Sequence, residues 1–248
     1  MSGGPGDFES APSQEYPWLR TLLPKRLHPW ARGVRKRWQL RRLRLEEPYA
    51  SIYSYTQVSL SRQQNLRRMA ALIDADGIPG AALECGVLDG GTAALIASST
   101  AAPRPIHLFD AWQGLPQSTA EDGLDAAKWV GDVVGSPRRV NEILARLRVD
   151  PARVHIHRGW FHETFPRARR EIGQVALLHV DCDFYEPTRL CLDTWLPVLA
   201  PGGFVQIDDY ASFQGCRQAV DECLARVRGV TLERFGDQGA AYFFRWPR

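Results

Sequence analysis

Three aspartates stand directly behind two short apolar runs. His179-Val180-Asp181-Cys182-Asp183 closes one run, and Val205-Gln206-Ile207-Asp208-Asp209-Tyr210 closes the next. If both runs are strands of a parallel sheet, their carboxyl ends lie on one edge, where ligands bind in open α/β sheets. Asp181, Asp208 and Asp209 would then converge, and carboxylates packed together repel unless a cation neutralises them. All-oxygen donors suit Mg²⁺, Ca²⁺ or Mn²⁺ rather than zinc. The plainer alternative has each acid capping a loop or a helix on its own. Asp183 lies two residues beyond Asp181, where a carboxylate at the rim of a cavity could take the proton of a substrate hydroxyl. It could equally cap the helix that follows.

A second constellation lies upstream. Leu83-Glu84-Cys85-Gly86-Val87 ends an apolar run, and Asp89-Gly90-Gly91-Thr92 opens a helical pattern. Glycines at a strand-to-helix turn let a ligand approach the backbone, and the helix start offers free N–H groups. The turn is not GxGxxG. Glu84 would repel a pyrophosphate but would welcome a cationic sulfonium carrying an amino group. The next run ends at Leu108-Phe109-Asp110, and an acid at that point of a doubly wound sheet commonly accepts hydrogen bonds from ribose hydroxyls. A helix-capping role is the alternative. His155, His157 and His179 sit in strand patterns and read as structural, and no histidine follows position 179 to act as a base. Arg217 could touch an acidic acceptor or form an internal salt bridge.

These residues need a scaffold that brings strand ends together. From Ala81 the chain alternates short apolar runs with helical stretches. Strands are expected at 81–85, 106–109, 154–157, 175–180 and 204–207, and helices at 91–100, 137–148, 162–171 and 187–199. Pro187 suits a first helical turn, and Leu192, Trp195, Leu196 and Leu199 mark a buried face. Such alternation argues for a parallel sheet covered on both sides. The last stretch differs, because residues 231–235 and 241–246, joined by Gly236-Asp237-Gln238-Gly239, read as a β-hairpin. Upstream, a helix is expected over 59–74 through Leu60, Leu66, Met69 and Leu72. Another is expected from Pro29 towards Leu45, with Trp30, Val34 and Trp38 on one face. Residues 1–17 are expected to be a disordered tail, 18–47 a basic helical arm, 48–80 a helical lead-in or lid, and 81–248 the main domain.

At 248 residues, the chain suffices for one large α/β domain. No apolar run approaches the ~18 residues of a membrane span, and residues 1–20 lack a secretory pattern, so a cytoplasmic protein is expected. Five scattered cysteines with no CxxC pair fit neither a disulfide framework nor a zinc site. The net charge of +3 hides an asymmetry: residues 1–45 carry ten Lys/Arg against three acids, and the remainder carries 21 against 25. A basic arm on an acidic body could meet an anionic partner, or it could be a solvated helix covering a neighbouring subunit. The latter is favoured here, and with it a homo-oligomer.

Taken together and in order, the motifs resemble the macrocin O-methyltransferase family of bacterial sugar O-methyltransferases. The resemblance runs from about Pro48 to Phe243. It rests on Tyr55-Thr56 and Arg62, on Glu84-Cys85-Gly86-Val87 with Gly90-Gly91, and on Asp110-Ala111-Trp112-Gln113-Gly114-Leu115-Pro116. It continues through Gly159-Trp160-Phe161 with Thr164-Phe165-Pro166, Asp181 to Thr188, Pro201-Gly202-Gly203, Asp208-Asp209-Tyr210 and Cys216 to Asp221. The family usually has Gly where this chain has Cys182, and Ser-Thr where it has Pro187-Thr188.

The resemblance implies a Rossmann-like class I methyltransferase: an α/β fold with a mostly parallel seven-stranded sheet ending in a hairpin, preceded by N-terminal helices. It implies S-adenosylmethionine as methyl donor, lined by Glu84, Gly86, Val87, Thr92, Asp110 and Asp181, with Gly159 and Trp160 near its adenine. It implies Mg²⁺ held by Asp181, Asp208 and Asp209, with Asp183 as candidate base. The acceptor would be a hydroxyl of a sugar or glycoside, and the bound ion would offset its high pKa. Two other readings stay open. A catechol-type enzyme would use the same acids on a phenol. A nucleic-acid-binding protein would use the basic arm, but no Asn/Asp-Pro-Pro-Tyr motif follows the fourth strand, and the basic residues are not interleaved with aromatics along a groove. A dehydrogenase is disfavoured by Glu84.

Overall fold

The computed structural model describes residues 45–248. The expected helix from Pro29, the tail and most of the basic arm lie outside the described residues. Seven strands form one sheet in the order β3-β2-β1-β4-β5-β7-β6. They are β1 (Ala81–Cys85), β2 (Ile106–Asp110), β3 (Val154–Arg158), β4 (Val175–Val180), β5 (Leu199–Ile207), β6 (Glu233–Phe235) and β7 (Ala241–Arg245). Strands β1 to β5 are parallel; β7 runs antiparallel to β5 and to β6. The sheet is therefore mostly parallel and ends in the expected hairpin. The order reverses beside β1, so the carboxyl ends of β1 and β4 flank a topological switch point.

Seven α-helices are described: α1 (Tyr49–Ile52), α2 (Leu60–Ala75), α3 (Gly91–Ser99), α4 (Pro137–Arg146), α5 (Phe161–Glu171), α6 (Tyr185–Trp195) and α7 (Gln214–Ala225). Alternation along the strands explains the layers. Ala82 and Leu108 face a core with Leu66, Met69 and Ile73 of α2, Leu95 and Ile96 of α3, and Val140 and Ile143 of α4. Leu83, Cys85 and Phe109 face the opposite core, with Phe165 of α5, Leu192 and Trp195 of α6, and Val220 of α7.

Three boundaries depart from expectation for physical reasons. Helix α6 ends at Trp195 and gives way to a 3₁₀ turn over Leu196–Val198, where Pro197 cannot donate to a continuing helix. Its start lies at Tyr185, so Pro187 is the third helical residue, still within the turn whose N–H groups have no partner. Strand β5 begins at Leu199, because Val175 pairs with Leu199 and an irregularity absorbs Pro201-Gly202 before pairing resumes at Phe204. In α2 the buried stripe is Arg62, Leu66, Met69 and Ile73, whereas Leu60 is exposed. Leu60 is the first helical residue after the cap Ser59, whose Oγ accepts from the Arg62 N–H, and it points away from the sheet.

Candidate active site

The turn after β1 is held by its neighbours. The carboxylate of Asp110, at the end of β2, accepts from the backbone N–H groups of Val87 (2.8 Å) and Leu88 (2.9 Å) through Oδ2, and from Trp112 (2.6 Å) through Oδ1. A carboxylate offers about four acceptor positions, so capacity remains for a ligand hydroxyl. Burial raises the Asp110 pKa, and the three N–H groups pull it back. Gly86 adopts φ 89°, and a Cβ there would collide with the carbonyl oxygen of Asp181. The absent side chain lets β1 and β4 close up at their ends. Gly90 caps α3 with φ 83°. Gly91 abuts Tyr55 and Thr56 of the lead-in, and Thr92 and Val87 are buried beneath.

Gly159 and Trp160 follow β3, with the Gly159 N–H donating to the Asp110 carbonyl (3.0 Å) and the Trp160 N–H to Glu163 (3.1 Å). Both residues are half-buried, on the same side of β1 as Asp110.

At the ends of β4 and β5, one carboxylate oxygen from each of Asp181, Asp208 and Asp209 lies within 4.8 Å of the others. Asp181 and Asp183 are half-buried, while Asp208 and Asp209 are buried. Burial drives the Asp181 carboxyl well above the usual carboxylate range, and repulsion from Asp208 and Asp209 adds to the shift. Burial and repulsion from Asp209 and Asp208 do the same to Asp183. Burial and the charge of Asp208 raise Asp209 to about 6. Asp183 has φ 60°, and its N–H donates to Asp209 Oδ2 (3.0 Å). A backbone in that region is uncommon for a residue with a Cβ, and the bond to Asp209 helps to hold the side chain beside the cluster.

Behind the acids lies a buried charge relay. His179 Nδ1–H donates to Glu84 Oε1 at 2.8 Å. His179 Nε2 lies 3.6 Å from Asp208 Oδ1, too far for a hydrogen bond, and Arg62 donates to Asp208 Oδ2 at 3.0 Å. Burial alone would lower the His179 pKa, but Asp208 and Glu84 outweigh it and hold it at about 9. Burial would raise Asp208, but Arg62 and His179 keep it below its ordinary value. Two acids and two bases alternate, so the group is neutral overall. Asp208 Oδ1 and Glu84 Oε2 make no hydrogen bond among the described residues.

Two of these residues carry more than their sequence pattern suggested. Arg62 sits on the buried stripe of α2 at i, i+4, i+7 and i+11 with Leu66, Met69 and Ile73. An arginine on a core-facing stripe signals a buried acidic partner. His179 reads as structural from its strand pattern, yet register places it beside Glu84 across β1 and β4. Beyond the motif that ends at Pro116, no sequence signal links the rest of the loop, residues 117–135, to the site. Asp122 in that loop accepts from the Tyr185 N–H (2.6 Å), and Trp129 joins Phe184 and Phe213 in a small aromatic cluster next to Asp183.

A macrocin-O-methyltransferase family model matches residues 23–243, beginning further upstream than Pro48, inside the basic arm. The chain is 32% identical over 201 residues to 8-demethyl-8-(2,3-dimethoxy-alpha-L-rhamnosyl)-tetracenomycin-C 4'-O-methyltransferase of Streptomyces olivaceus, covering 77% of this chain and 76% of that one. It is 31% identical over 187 residues to mycinamicin III 3''-O-methyltransferase of Micromonospora griseorubida, covering 71% and 72%. The solved O-methyltransferase NovP shares the fold, with a TM-score of 0.72 and 22% identity over 91% of this chain and all of that one. No described helix is long and apolar enough to cross a membrane. The chain belongs to the macrocin-O-methyltransferase family, and it is an O-methyltransferase of the class that takes its methyl group from S-adenosylmethionine.

Proposed function

We propose that the enzyme methylates a hydroxyl of a sugar in a glycosylated natural product, using a divalent ion of the magnesium class held by Asp181, Asp208 and Asp209. The observation that carries this reading is the convergence of three carboxylate oxygens beside the β1 turn. The residues fit the ion on two grounds. Their donors are all hard oxygens. Asp208 and Asp209 repel the Asp181 carboxylate and push it well above the usual range, a repulsion that a bound cation would relieve. When bound, such an ion supplies positive charge that stabilises a developing alkoxide. The sugar acceptor is suggested by the two relatives, whose names specify a rhamnosyl tetracenomycin and mycinamicin III.

The chain's own residues supply the rest. Asp110 and the N–H groups of the β1 turn would bind and orient the donor, with Gly159 and Trp160 beside its adenine. Glu84 is buried and paired with His179, so it would fix the ends of β1 and β4 behind the donor rather than meet the sulfonium as a free charge. Asp183 would take the acceptor's proton as its oxygen attacks the methyl carbon, and the electron pair of the breaking C–S bond stays on sulfur. Orientation in line matters as much as the base.

Calorimetric binding of S-adenosylhomocysteine and of Mg²⁺ to the wild type, Asp209→Asn and Asp183→Asn tests the reading. Wild type is expected to bind both, and Asp209→Asn to keep the nucleoside but lose the metal. Asp183→Asn should keep both and lose about 10²–10⁴-fold in turnover of a rhamnosyl glycoside. No binding of the nucleoside to the wild type would remove the donor site. Metal binding unaffected by Asp209→Asn would remove the metal site. Methylation of a catechol but of no glycoside would reassign the acceptor.

A further inference from the structure

Three of the six histidines of the chain gather on β2 and β3, at the end of the sheet away from β5 and on the face that carries Phe109. His155 and His157 alternate along β3, the terminal strand, and so face the same side. His107 of β2 is in register with His155, and Phe109 with His157. The diagonal pair meets: His107 Nδ1 lies 3.0 Å from His157 Nε2. The rings are braced. His155 stacks on His107 with centroids 4.6 Å apart, and His157 stacks on the buried Phe109 at 4.3 Å. Phe109 in turn packs against Phe165 and Trp195. His155 is exposed, and His107 and His157 are half-buried, so an aquated ion can reach them.

We propose that His107 and His157, with His155 beside them, form a binding site for a borderline transition-metal ion such as Zn²⁺ or Cu²⁺, separate from the aspartate cluster. His107 and His157 present two converging imidazole nitrogens from neighbouring strands, and His155 braces His107 by stacking on it rather than adding a third nitrogen. Imidazole suits Zn, Cu and Ni, whereas Mg²⁺ prefers oxygen. Zn–N bonds of about 2.0–2.1 Å at a tetrahedral angle put two ligand nitrogens roughly 3.3 Å apart, so the pair needs to open only slightly.

Both rings are ready to ligate. Burial lowers His107 to about 4, with the charges of His155 and His157 adding to the shift, and burial also lowers His157. At neutral pH neither carries a proton that a metal must expel. In the metal-free pair one nitrogen donates to the other. Binding requires only that the two ring protons occupy His107 Nε2 and His157 Nδ1, a tautomer change without net proton release. Glu171, at the end of α5, is near enough to favour positive charge on both rings, although Arg167 shares its carboxylate at 3.0 Å.

The test uses the tag-free, chelator-treated full chain with saturating Mg²⁺, titrated with Cu²⁺ under electron paramagnetic resonance and with Zn²⁺ under thermal melting. Wild type is expected to show a Cu²⁺ signal split by imidazole nitrogens and a melting point raised by Zn²⁺. Both effects should vanish in His157→Gln and persist in His28→Gln and His162→Gln. A Cu²⁺ signal with oxygen ligation only would overturn the proposal. So would nitrogen coupling retained in His157→Gln, which would leave the histidines as a neutral hydrogen-bonded stack. Because the wild-type nitrogen coupling is read directly, a variant that fails to fold does not leave the question open.

Discussion

Asp208 is the residue on which two demands meet, since it is both a proposed metal ligand and the partner of Arg62. Its ion pair with Arg62 is buried, with side-chain exposures of 3% and 5%. Removing one member of such a pair leaves the other charged and unsatisfied, which costs about 3–5 kcal/mol. Asp208→Ala is therefore a poor probe of metal binding, and Asp209→Asn is the better one. The same logic predicts that Arg62→Met destabilises the fold by about 3–5 kcal/mol, and that Asp208→Asn added to it recovers part of the loss. Chemical denaturation of the two single variants and the double variant checks this. Additive losses would mean that the two side chains do not depend on each other. The acids of this site were legible because they follow apolar runs directly. Arg62 and His179 were not, because their roles arise from packing between α2, β1, β4 and β5, which are far apart in sequence.

Elements were legible where local chemistry and tertiary context agree. Strands β1 and β4 fall at the expected residues because each is an apolar run buried on both faces, broken only by Glu84 in β1 and His179 in β4, which pair with each other. Strand β5 began earlier than expected, because Pro201-Gly202-Gly203 reads locally as a turn while Leu199 still pairs with Val175. The histidine stack of β2 and β3 belongs to the same level, since cross-strand register alone brings His107 to His157. It carries a pH prediction for the metal-free protein. His107 has a folded pKa of about 4 against 6.5 in an open chain. Between those values the unfolded state binds more protons, so this contribution to stability is complete above pH 6.5 and fades as pH falls towards 4. In the presence of a chelator, the melting point of the wild type should fall more steeply from pH 6.5 to 4.5 than that of His107→Gln. Parallel slopes would show that His107 titrates normally in the fold.

At the scale of the whole molecule, charge and family extent point to the same segment. Ten basic residues lie within residues 1–45, and nine of them fall between 23 and 44, which contain no acid. The family match begins at residue 23, so the basic part of the arm lies inside the family unit, and residues 1–22 lie outside it. The described body carries 21 basic and 25 acidic residues, the opposite sign. A cationic segment joined to an anionic body is suited to lie on an acidic surface, its own or that of a second copy, with a strength that salt reduces. Two truncations separate the parts. Deleting 1–22 is expected to leave methyl transfer and size in solution unchanged. Deleting 1–44 is expected to reduce the size in solution and the activity together, and high salt should shift the wild type in the same direction. If the longer deletion lowers activity with no change in size, the arm acts within one chain. If it changes neither, the arm has no part in assembly or in methyl transfer.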